Sequence, residues 1–158
     1  MEKRESRYST LPARFLLGLT LVLSCLWTTV AYGVDVTSPV GLWKTVDDKT
    51  GNAGAVVRIY ESDVRFFGKI EQLFKPGAES FLCVACTDER KNKPIVGLII
   101  IRNIMAGDRS YSGGDILDPD SGTVYRCNFH LDKDGSVLIV RGYIGFSLLG
   151  RSKTWHRL

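Results

Sequence analysis

The chain has few of the residues from which catalytic and metal sites are usually built. It holds two histidines in 158 residues, His130 and His156, which stand far from one another and from the cysteines. A zinc site needs a full set of Cys or His ligands at close spacing, and that set is missing. No Gly-x-Ser-x-Gly, Walker loop, His-Glu-x-x-His or dinucleotide fingerprint occurs. Ser147 lies between Gly145 and Gly150, but the second glycine is one residue too distant for a nucleophile elbow and no helix follows. These absences point away from an enzyme and from a bound cofactor.

Long apolar runs are confined to the N-terminus. Lys3, Arg4, Arg7 and Arg14 precede an uncharged apolar stretch from Phe15 to Val30, and Ala31 and Gly33 flank Tyr32 at an A-x-A-like exit. This is the pattern of a secretory signal peptide, residues 1–33, preceding a single domain over residues 34–158. A retained signal anchor is the alternative, because the run approaches the length of a spanning helix. Lipid attachment at Cys25 is a third reading, opposed by Leu26, Trp27 and Val30, which continue the apolar run where a polar tether is expected. The segment's four Arg and Lys and two Glu account for half of the formal net charge of +4. What remains has no basic stripe, so nucleic acid is not an expected partner. The later apolar run Ile95–Ile101 is interrupted by Gly97 and ended by Arg102, so no membrane span is expected after the leader.

An exported chain meets an oxidising compartment, and its cysteines are read in that light. Beyond residue 33 there are Cys83 and Cys86, in a CxxC, and Cys127. From Tyr125 to Leu131 the odd positions are Tyr, Cys, Phe and Leu while the even ones are largely polar, so Cys127 faces inward as a buried thiol. Cys83 and Cys86 are then expected to form a local disulfide. A bond from either to Cys127, a redox pair and a metal site are the other readings. The redox reading lacks the helix N-terminus that lowers a thiol pKa.

The domain reads as strands throughout, without a convincing helix. The runs are Val40–Val46, Ala55–Tyr60, Val64–Phe74, Ile95–Met105, Tyr111–Leu117, Thr123–Leu131, Ser136–Ile144 and Ser152–Leu158. Turn residues fill the gaps, as in Asp118-Pro119-Asp120-Ser121-Gly122 and Asp132-Lys133-Asp134-Gly135. Gly68 within its run predicts a bend or bulge. The longest irregular stretch, 75–94, carries the CxxC and the charged run Asp88–Lys93, read as a solvated loop. The connection Gly145–Gly150 is expected to tuck Phe146 and Leu148 against one end of the fold, with a hydrophobic lip toward lipid or a partner as the alternative. Eight strands joined by short turns predict an all-β, antiparallel up-and-down barrel, since closure removes exposed edges. Gly41-Leu42-Trp43 and Trp155-His156-Arg157 bracket it as first and last strands.

Four blocks carry a family resemblance: Gly41–Thr45, Glu89–Pro94, Gly113–Pro119 and Arg141–Arg151. In this order they resemble exported bacterial proteins of domain of unknown function 2147. The resemblance implies a lipocalin-like (calycin) barrel and bacterial export, and it brings no catalytic residues. It also implies that Trp43 stacks with Arg157 as a structural plug, a cation–π contact worth about 0.5 to 2 kcal/mol.

An eight-stranded barrel is either filled by side chains or just wide enough for one small ligand. Bulky inward residues predict a narrow pocket, with Phe66, Tyr125, Phe129 and Tyr143 as candidate binding residues. The expected activity is non-catalytic binding of a small apolar or amphipathic molecule, a lipid included, in a periplasmic or secreted protein. A filled-core interaction module, structural or serving envelope stress, is the second reading and thiol redox activity the third.

Overall fold

In the computed structural model, residues 37–47, 50–108 and 110–158 are described. The leader expected over 1–33, its expected cleavage site and Cys25 lie outside them. Val34–Leu158 is one compact unit. Its strands are β1 (Gly41–Val46), β2 (Ala53–Ser62), β3 (Arg65–Leu73), β4 (Ile99–Ala106), β5 (Tyr111–Asp118), β6 (Thr123–Leu131), β7 (Val137–Tyr143) and β8 (Arg151–Arg157). Each pairs antiparallel with its sequence neighbours and β8 returns to β1, giving a closed barrel in simple sequential order. The helical pieces among the described residues are the 3-10 turns Ala78–Ser80 and Ser147–Leu149.

Alternation sets which side chains enter. In β3, Phe66, Gly68 and Ile70 are buried while Arg65, Phe67, Lys69 and Glu71 are not; in β6, Cys127 and Phe129 are buried while Arg126 and His130 are exposed. Period-two patterning of this kind places one face in the core and the other in water. At Gly68 the ladder to β4 shifts register, and a Cβ on Gly68 would sit 3.0 Å from the Ile101 side chain. The glycine therefore lets β4 press against β3 where the barrel bends.

Three local expectations are corrected. Ile95–Leu98 belongs to the long connection and β4 begins at Ile99, because the Ile95 N–H goes to the Phe81 carbonyl (2.9 Å) and the Leu98 N–H to the Ile95 carbonyl (3.1 Å). Val64 lies in the two-residue turn between β2 and β3, where Asp63 and Val64 have φ of 50° and 56°. That is the conformation a tight hairpin demands, and a β-branched residue adopts it under strain. Third, Phe146 and Leu148 are not tucked against the barrel but stand 80% and 91% exposed.

The barrel has two unlike ends. One carries the entry segment 37–40, the turns after β2, β4 and β6, and the C-terminus. The other carries the connections 47–52, 74–98, 119–122 and 144–150.

Candidate functional site: a closed end and an open mouth

The first end is closed by packing. The Trp43 indole is completely buried, its Nε1–H donates to the Pro39 carbonyl (2.8 Å), and the Arg157 guanidinium lies over its ring at 4.3 Å. Arg157 donates from Nε to the Gly135 carbonyl (2.6 Å), from Nη1 to that of Val40 (3.0 Å) and from Nη2 to that of Ser38 (2.7 Å). One side chain thus ties the C-terminus, the β6–β7 turn and the entry segment together. Within the same end Tyr111 meets Phe66 edge-on at 5.0 Å and stacks with Phe129 at 5.2 Å. Phe129 is fully buried and Phe66 is 6% exposed. These rings pack against one another at this end.

The opposite end is open. A cavity of about 770 Å³ enters the barrel there, within the 300–1,000 Å³ typical of small-molecule sites. Its depth is formed by Val57, Ile70 and Ile100, which are 1%, 3% and 6% exposed. Val57 pairs across the sheet with both Trp43 and Ile70, so the depth of the cavity adjoins the plug. The upper wall comes from β3 and the long connection: Leu73, Phe74, Phe81 and Ile95. The polar groups at the rim include Asn52, Lys75 and Asp120, and the Lys75 ammonium sits 5.2 Å from the centre of the Phe81 ring.

None of the four candidate binding residues lines this cavity. Phe66 and Phe129 belong to the closed end. Tyr125 and Tyr143 are half-buried near the open end, away from the lining. The lining residues escaped the sequence reading partly because Phe81 of the upper wall comes from a stretch read as irregular. The signal available was Phe81 and Ile95, apolar residues spaced around the CxxC.

That stretch is anchored at several points. Cys83 and Cys86 form a disulfide with their Cα atoms 5.4 Å apart, and both are buried, at 0% and 1% exposure. The Cys83 Sγ lies 3.6 Å from the Pro119 carbonyl oxygen. Gly122, at φ 71°, lets the Ala85 carbonyl approach so closely that any Cβ there would collide with it. Cys127 stays free and buried, and burial pushes its thiol up to about 12, so it is neither bonded to the CxxC nor ionised at neutral pH.

The charged run Asp88–Lys93, read as solvated, is anchored too. Arg90 is 4% exposed. Its Nε donates to both Asp88 carboxylate oxygens (3.1 and 3.0 Å), its Nη2 to Asp88 Oδ2 (2.5 Å) and its Nη1 to the Ile99 carbonyl (3.3 Å). The guanidinium beside it holds the Asp88 carboxyl at about 2. Next to it Glu89 pairs with Arg102 of β4, and Asp115 of β5 pairs in register with Arg102. Among the described residues the buried Asp115 Oδ1 finds no hydrogen-bond donor. Burial raises that carboxyl, against the pull of the Arg90 and Arg102 charges. The run is thus a clamp that fastens the long connection to β4.

Comparison with known proteins comes to the same architecture. A family model described as an uncharacterized protein conserved in bacteria (DUF2147) matches residues 41–157. Among solved structures the chain is similar to protein HP1028 from the human pathogen Helicobacter pylori, described as belonging to the lipocalin family. The TM-score is 0.67 at 19% identity, over 77% of this chain and 84% of that one. No curated protein matches.

Proposed function

The chain belongs to the DUF2147 family, whose description assigns no activity, and from the geometry of its open end we propose that it binds a small apolar or amphipathic molecule. The observation that carries this reading is the 770 Å³ cavity with an apolar depth and a few polar groups at its rim. Apolar walls supply affinity through area removed from water, and the rim orients whatever polar group the ligand has. The protein acts as a carrier or receptor and not as an enzyme. The leader and the buried disulfide support work in the periplasm or after secretion.

The test is to fill the cavity. Ile100→Trp is expected to abolish thermal shifts by long-chain fatty acids and lysolipids while leaving the melting temperature of the free protein within a few degrees. Native mass spectrometry of protein taken from its own periplasm should show a bound molecule that the variant lacks. Absence of any bound molecule, together with no shift from the lipid panel, would end the reading.

Full burial of Cys83 and Cys86 speaks for a structural disulfide over thiol redox chemistry, which works through exposed, low-pKa thiols. A reduction potential below about −300 mV is expected for it.

A further inference from the structure

The connection between β7 and β8 sets large apolar side chains in water. Ile144, Phe146, Leu148 and Leu149 are 63%, 80%, 91% and 80% exposed. They are held in that position by design of the backbone. The Leu149 N–H donates to the Phe146 carbonyl (3.1 Å) and the Gly150 N–H to that of Ser147 (3.1 Å). Arg141 donates to the carbonyls of Ser147 (2.9 and 2.7 Å) and Leu148 (3.2 Å) and to the Ser152 hydroxyl (3.1 Å). A Cβ on Gly150 would stand 2.6 Å from the Gly142 carbonyl oxygen, so the loop folds tightly back on its own hairpin. A connection with no use for apolar side chains would be polar; this one spends an arginine on fixing their display.

The electrostatics of the hairpin are one-sided. From Gly135 to Leu158 there is no Asp or Glu, whereas Arg141, Arg151, Lys153 and Arg157 fall within it. Arg151 and Lys153 are exposed, and so is Arg126, which pairs in register with Tyr143. The acidic residues of the same barrel end among the described residues, Asp47, Glu79, Asp88, Glu89, Asp118 and Asp120, stand on other connections or at the end of β5.

An apolar tip flanked by cations is the combination that enters the headgroup and acyl boundary of an anionic bilayer. A folded protein partner fits less well, because a stable protein interface buries roughly 1,200 to 2,000 Å² and one short protruding connection offers only a fraction of that. A bilayer accepts a wedge of three side chains. We propose that the β7–β8 tip docks this barrel on an anionic lipid surface, with Phe146, Leu148 and Leu149 in the acyl boundary and Arg151 and Lys153 against the phosphates. The tip and the cavity mouth share one end of the barrel, so docking sets the mouth beside the lipid.

Co-sedimentation with vesicles tests this on Val34–Leu158, a compact unit whose eight strands form a closed barrel. Vesicles of phosphatidylglycerol and phosphatidylcholine should bind the protein, and pure phosphatidylcholine should bind it much less. Phe146→Ser, Leu148→Ser and Leu149→Ser together should weaken binding about tenfold or more, at unchanged melting temperature because all three side chains are exposed. Arg151→Glu with Lys153→Glu should abolish the preference for anionic vesicles, as should high salt. Should the triple variant not fold, L148W serves instead: its indole emission should shift to the blue and be quenched by brominated acyl chains. Equal binding to both vesicle types, undiminished binding by the triple variant, or an unquenched indole overturns the proposal. A concentration-dependent dimer that the triple variant abolishes, without vesicle binding, also overturns it and makes a second copy the occupant. None of these readouts depends on the cavity, so an empty cavity and a failed docking surface are separable results.

Discussion

The two ends of this barrel use the same inward-facing positions for opposite purposes. At the closed end the inward residues are aromatic or tied down: Trp43 under Arg157, and Phe66, Tyr111 and Phe129 in mutual ring contact. At the open end they are aliphatic, Val57, Ile70 and Ile100, and face a cavity. Rings and a guanidinium with three carbonyl partners pack against one another at the closed end, while the aliphatic chains of the open end, buried in the same core cluster, line the cavity. The closed end is thus held by ring and guanidinium contacts, while the open end combines core packing with a cavity.

The sharpest way to break that contrast is Trp43→Ala. It removes a fully buried indole together with its hydrogen bond and its cation partner, and a loss of about 3 to 5 kcal/mol is expected in urea unfolding. Ligand affinity of the fraction that stays folded should change little, since Trp43 is absent from the lining. An equal loss of binding would mean that the two ends are one unit.

Asp88→Asn addresses the clamp on the long connection. Removing the charge opposite the buried Arg90 guanidinium should cost about 2 kcal/mol at neutral pH. Asp88 is held at about 2 in the folded chain against an ordinary 3.8, so it takes up its proton less readily when folded. Its contribution is complete above about pH 4 and is lost as pH falls from there through about 2. The variant should lack that part of the acid limb in melting temperature against pH. Opening of the 74–98 connection by hydrogen exchange should increase, and the closed end should stay protected.

The smallest effect concerns the β2–β3 turn at the closed end. Val64 is 81% exposed with φ 56°, so Val64→Asn relieves backbone strain without removing packing and should stabilise by about 1 kcal/mol. A destabilised variant would show that Val64 contributes a contact that its exposure does not reveal.

Much of the frame was legible in the residues. Alternation in β6, turn chemistry at Asp118–Gly122 and a bend at Gly68 each act locally, and the strands they imply are the ones observed. The failures are equally specific. Ile95 and Leu98 are apolar like a strand but serve as the underside of a connection, and periodicity cannot separate the two. Arg90 sits in a run as charged as any solvated loop, and only the position of Asp88 and the Ile99 carbonyl makes its burial tolerable. Phe66 and Phe129 face inward as alternation requires, yet facing inward does not tell whether a residue meets a ligand or another ring.

By itself, then, the sequence determined an all-β antiparallel barrel of eight strands and, in β6, which side chains turn inward, because pleat, turn and glycine preferences act between residues close in the chain. Only the tertiary structure decided that one end is held by ring and guanidinium contacts, that the other is a cavity walled in part by the CxxC connection, and that the β7–β8 tip stands clear of the barrel. Those outcomes depend on which side chains meet across the interior and which are left without a neighbour, a matter of distances between residues tens of positions apart.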